Sequence, residues 1–218
     1  MRWDNLFDDL EGQLEHELNA EEVDLRAEEE RLRLGRLSLR DRLTSLAAGR
    51  GGAVLATGAA GNGAARSGAA RSRAGILRIA LVSGETITLR PTTFGRDWLA
   101  ADLLDAPTLG AQCVLPLAAI AGVIVSAAEV PVSLAAEPDR AARLVDRIGL
   151  SFVLRDLCRR RSSLEVHTRT GLLTGTIDRV GRDHMDLALH AAGTLRRAAE
   201  VHQYRIVPLA EIQLVRLS

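Results

Sequence analysis

At 218 residues the chain is long enough for one generous domain or two small ones, and with 47% hydrophobic but only 3% aromatic residues its core must be built from Leu, Val, Ile and Ala. Its 28 acidic and 28 basic residues cancel, which excludes a global positive field recruiting nucleic acid or an anionic membrane. All the basic residues are arginine, a bias read first as that of a GC-rich genome. Cys113 and Cys158 form no CxxC and stand near no clustered His, so no disulfide framework or zinc site is expected.

Residues 1–46 contain no proline and read as one long charged amphipathic helix, or two in succession. Trp3, Phe7, Leu10 and Leu14 are spaced by fours and threes, and Leu18, Leu25, Leu32, Leu39 and Leu46 follow at sevens, which gives a narrow apolar stripe. The rod is acidic up to Glu30 and basic from Arg31 to Arg42, an order that suits the helix dipole and an antiparallel partner helix. Trp3, Phe7, Leu10 and Leu14 are therefore the expected contact with a protein partner or a second copy. The opening residues carry acids where a signal peptide needs a basic start and an apolar stretch, so a cytoplasmic protein is expected.

Residues 47–74 form a Gly/Ala/Ser tract punctuated by Arg50, Arg66, Arg71 and Arg73, which reads as a flexible linker. Residues 75–130 and 162–218 then resemble one another block by block. In the first, Leu81-Val82-Ser83-Gly84-Glu85-Thr86-Ile87 is followed by Phe94-Gly95-Arg96-Asp97-Trp98 and by Leu115-Pro116-Leu117-Ala118-Ala119-Ile120. In the second, Gly171 to Ile177 is followed by Val180-Gly181-Arg182-Asp183-His184 and by Val207-Pro208-Leu209-Ala210-Glu211-Ile212. The comparison matches Gly84 with Gly171, Asp97 with Asp183 and Pro116 with Pro208. Four or five short strands per copy suit a small closed barrel, which leaves no open edge. Residues 131–161 supply a loop and the helix before the second copy, as Leu37 to Leu43 precedes the first. The uncharged run Ala106–Ala128 is nominally long enough to span a bilayer, but Pro107, Gly110, Pro116 and Gly122 interrupt it, and no membrane span is expected.

Gly171, Gly175, Ile177, Asp183, Met185, Leu187 and Leu189 resemble the first motif of the Sm-like family of small barrels, and general SH3-like barrels share the hydrophobic pattern. The match covers about a quarter of the chain, or half with the first copy included. Asp186 stands where that family places a base-binding Asn, and Ile206-Val207-Pro208-Leu209 replaces its second motif, so the resemblance bears on fold more than on RNA. The fold class expected is α+β: two tandem antiparallel SH3/Sm-like barrels, each preceded by a helix, with a long N-terminal helix.

Arg155, Arg159, Arg160 and Arg161 form a basic cluster that could meet phosphates, and Arg96 or Arg182 could hold a phosphate while Trp98 or His184 stacks on a base. The same Gly-Arg-Asp turns serve equally as plain turns, and arginines at a helix C-terminus are favoured by the dipole alone. His167, His184, His190 and His202 lack metal-ligand spacing, and no nucleophile elbow, P-loop or dinucleotide motif is present. The expectation is a non-catalytic interaction or scaffold protein without cofactor, metal or small-molecule substrate; the alternative is an RNA-associated factor that binds weakly.

Overall fold

The computed structural model describes residues 22–49, 75–106, 110–135, 143–194 and 196–217. Trp3, Phe7, Leu10, Leu14 and most of the linker lie outside the described residues. The chain divides into two compact units, Met1–Leu39 and Arg40–Ser218.

In the first unit residues 22–36 are helical (α1). Ion pairs one turn apart support it: Arg26 with Glu22 at 2.6 Å, Arg31 with Glu28 at 3.1 Å and Arg33 with Glu30 at 2.6 Å. Of the two readings of 1–46, one helix or two in succession, the described part shows two helices. Residues 37–38 are not helical, and a second helix, α2, spans Leu39–Ala47. Gly35 weakens the helix just before the break, and Ser38 is of a type that favours the start of a new one.

The expectation of two closed barrels is overturned. The strands are β1 (Leu77–Leu81), β2 (Thr86–Phe94), β3 (Trp98–Leu103), β4 (Gln112–Pro116), β5 (Ile120–Ile124), β6 (Ser163–Thr168), β7 (Gly171–Val180), β8 (His184–Leu189), β9 (Gln203–Pro208) and β10 (Ile212–Leu217). They form one open antiparallel sheet in the order β5-β1-β2-β3-β4-β10-β6-β7-β8-β9. The free edge of β4 pairs with β10, placing Val114 opposite Val215 and Cys113 opposite Arg216. A strand edge offers the same backbone donors and acceptors to its own repeat or to the neighbouring one, and hydrophobic alternation does not distinguish the two.

Both halves are wound alike, with the fifth strand beside the first. Thr92 in β2 and Asp178 in β7 are skipped in the pairing to the next strand, and Ala121 in β5 and Gln213 in β10 are skipped in the pairing to the first strand of each half. Trp98 lies opposite Pro116 as His184 lies opposite Pro208. The Leu117 amide donates to the Asp97 carbonyl at 2.9 Å, and Leu209 to Asp183 at 2.8 Å. Gly84 and Gly171 are not equivalent. Gly84 sits inside the turn after β1, whereas Gly171 opens β7 opposite Thr168, so the second turn is a residue shorter.

Each half has its own apolar cluster under one helix. Leu43 and Leu46 of α2 pack with Leu77, Ile79, Leu89, Leu99 and Leu115. Among the described residues the other α-helices are a short α3 (Glu129–Ser133) and α4 (Leu150–Arg160), whose Leu150, Leu154 and Leu157 pack with Leu164, Val166, Ile177, Met185 and Leu187. The clusters interlock at the seam, because Trp98 and Val114 of the first half belong to the second cluster and Leu214 belongs to the first. Neighbouring residues of a strand point to opposite faces, so Leu214 and Val215 send β10 into one core on each face of the sheet. The run Ile212 to Val215 is buried throughout, as a central strand requires.

Val114→Ala is therefore expected to cost on the order of 2 kcal/mol and to lower the stability of both halves in a single transition. Far-ultraviolet dichroism and Trp98 fluorescence followed through denaturant should coincide; two separated transitions would contradict the shared seam.

Candidate interaction surfaces

The first of the two turns that read as phosphate sites is occupied by the protein itself. Trp98 is buried, with 6% of its surface exposed, and its indole N–H donates to the Ile148 carbonyl at 2.9 Å. Its ring lies against Gly95 so closely that a Cβ there would overlap it, and the His184 ring lies against Gly181 in the same way. Glycine is needed at both places for that close approach. Trp98 thus presents no face on which a base could stack.

Asp97 reaches across to the second half and accepts from the Leu150 amide at 2.8 Å. This satisfies a first-turn donor of α4, whose N-cap residue Gly149 has no side chain to do so. Asp183, at the equivalent position, instead accepts from His184 Nδ1 at 2.9 Å, and that bond holds its carboxyl below the usual carboxylate range. Arg182 and His184 are exposed on this turn.

The arginine cluster is also engaged internally. Arg159 and Arg160 both donate to Asp156, at 2.5 and 2.6 Å, and the Arg160 bond, then the Arg159 bond, lowers the Asp156 pKa. Arg161 ends α4 in the left-handed conformation at φ 55° and sends its guanidinium to Asp178 at 3.0 Å, a carboxylate that Arg196 also grips at 2.7 and 2.5 Å. Arg155 donates to the Gly181 carbonyl at 3.2 Å. These partners account for Arg159 and Arg160 through pairing within α4 and for Arg155 and Arg161 through tertiary contacts, although Arg159 and Arg160 keep much of their surface in solvent.

Arg40, which the sequence reading did not single out, makes the counterpart of the Arg155 contact. Its Nε donates to the Gly95 carbonyl at 2.7 Å and its Nη2 to Asp146 at 2.5 Å. The signal was present: Leu39-Arg40-Asp41 and Leu154-Arg155-Asp156 repeat the same tripeptide in the two helices. A hydrogen bond from the Arg143 amide is the main cause, with Arg40 assisting, of a lowered Asp146 pKa.

Comparison with protein-family models, with curated proteins and with solved structures returned no match.

Exposed apolar side chains among the described residues include groups on α1 and at the end of the sheet. On α1, Val23, Leu25 and Leu32 are exposed, at 62, 61 and 54%. On the sheet, β5 and β9 are the outermost strands, and Tyr204 and Ile206 of β9 are exposed at 61 and 70%. Of His167, His184, His190 and His202, His190 is buried and satisfied, its Nε2 bonded to Thr176 Oγ1 at 2.9 Å and its Nδ1 within 3.0 Å of the Ala191 carbonyl. No described helix is long and apolar enough to cross a membrane, and the described parts of the uncharged run Ala106–Ala128 include β4 and β5.

Trp98→Ala should lower folding stability by about 3–5 kcal/mol, as loss of a large buried ring does. A fully stable variant in a thermal melt would contradict the placement. The Cys113 thiol, buried in β4, is pushed up to about 12 by desolvation, so at pH 8 roughly one molecule in ten thousand carries the reactive thiolate. Cys158 is partly exposed on α4. A thiol reagent should therefore modify Cys158 in the native protein and Cys113 only after unfolding; prompt modification of both would show that the seam is open.

Proposed function

We propose that the chain is a non-catalytic cytoplasmic interaction protein that pairs, through the apolar stripe of α1, with a helix of complementary charge order. The carrying observation is that Leu25 and Leu32, seven residues apart on one face, are left 61 and 54% exposed on a helix that carries ion pairs of its own one turn apart. Seven-residue spacing is what a coiled-coil seam requires, and large side chains left in water at that spacing mark a surface awaiting a partner helix. Glu28, Glu29 and Glu30 precede Arg31, Arg33 and Arg36, so an antiparallel partner with the same order sets each charge against its opposite.

The test is affinity capture from the native host by the full chain and by a Leu25→Asp/Leu32→Asp variant, each with and without nuclease. Capture is expected to survive nuclease and moderate salt and to be lost in the variant, since an apolar seam is little screened. Capture that vanishes with nuclease and falls with a slope of roughly −3 in log affinity against log salt would instead favour four phosphate contacts by Arg155, Arg159, Arg160 and Arg161, at about −0.7 per contact on a single strand.

A further inference from the structure

We infer that the outer edge of β9 in one molecule adds to the outer edge of β5 in another, reproducing between chains the β4–β10 seam within each chain. Because the two halves are wound alike, every residue of the internal seam has a counterpart at an end of the sheet. Pro116 corresponds to Pro208 through their pairing with Trp98 and His184, which puts Ile206 in the place of Val114 and Arg205 in the place of Cys113. Ile79 lies opposite Val123 as Val166 lies opposite Val215, which puts Val123 in the place of Val215 and Ile124 in that of Arg216.

The burial differs as this correspondence requires. Val114, covered by the second half, is 5% exposed, while Ile206, with no further half beyond it, is 70% exposed. Val215 is fully buried, whereas Val123 is half-buried and Ile124 is 42% exposed. Open sheet edges are ordinarily protected by charge or proline. The β5 edge, Ile120-Ala121-Gly122-Val123-Ile124, carries neither, and β9 carries one charge, Arg205, with Pro208 at its far end.

A second copy of the chain is the occupant that fits, because its β5 carries the pairing frame that β10 presents to β4. The register follows: Ile206 opposite Val123 and Arg205 opposite Ile124. Gly122 stands where Leu214 fills the internal seam, so the contact between chains buries less and is the weaker of the two. Since β9 meets β5 rather than itself, the contact is head-to-tail and propagates until a ring closes or a filament grows.

Sedimentation velocity across a concentration series tests this on the full chain carrying Leu25→Asp and Leu32→Asp, which silences the helix seam. That protein is expected to associate. Ile206→Arg, which blocks β9, and Ile124→Arg, which sets an arginine opposite Arg205, should each raise the dissociation constant by about tenfold or more without shifting the melting temperature, both positions being exposed in the single chain. An equimolar mixture of the two blocked proteins should form dimers and nothing larger, because one intact β9 and one intact β5 remain between them. Adding Arg205→Glu to Ile124→Arg should restore association by reversing the facing charge. A parent that stays monomeric throughout, a mixture that stays monomeric, or an Ile124→Arg protein that still dimerises through β9 with β9 would overturn the inference.

Discussion

Val114 opposite Val215 and Cys113 opposite Arg216 are the registered pairs that join β4 to β10, and through them two five-stranded units become one sheet. Burial at that seam is two-sided: Val114 and Val215 lie in one core, and Cys113 and Leu214 in the other. Each fully buried aliphatic side chain is worth roughly 1.5–3 kcal/mol of transfer free energy, so a handful of such residues outweighs the net stability left to a small domain. Neither half keeps that contribution alone, because each lends side chains to the other's interior.

The polar contacts across the halves follow from this joining. Once β4 and β10 are paired, the turn between β2 and β3 comes to the start of α4, where Asp97 caps the helix and Trp98 binds the Ile148 carbonyl. Arg40 then ties α2 both to Gly95 and to Asp146 in the connecting segment. An unsatisfied buried amide or indole N–H would cost about 1–3 kcal/mol, so these bonds fix the route of the chain between halves more than they add stability. They also explain why the two Gly-Arg-Asp turns diverged. The first faces the junction and is tied into it; the second has no further half to meet and leaves Arg182 and His184 in solvent.

Several parts of this organisation were legible in the residues. Strand alternation at Leu77, Ile79 and Leu81 follows directly from period-two hydrophobicity, and the Pro-Leu-x-x-Ile blocks fall at the short turns before β5 and β10. What the sequence did not disclose was where each edge finds its partner. Closing β4 on β5, or passing it to β10, uses identical backbone groups, and the difference lies in side chains such as Val114 that serve a distant core. Trp98 was misleading for a related reason: an aromatic beside an arginine suits base stacking as well as it suits a buried ring, and only the position of Ile148, fifty residues on, separates them. Arg161 read as part of a free basic patch because its acidic partner Asp178 is distant in sequence, whereas Asp156, the partner of Arg159 and Arg160, stands one turn before them and was legible.

Native-state hydrogen exchange of the backbone amides tests the joined sheet most directly. If β4 and β10 are central strands, the amides around Val114 and Val215 should exchange through global unfolding, among the slowest in the chain and at the same free energy in both halves, while β5 and β9 exchange faster through local fraying. Amides of β4 and β10 that exchange as fast as those of β5 and β9, with the two halves opening at different free energies, would mean two independent units and contradict the account.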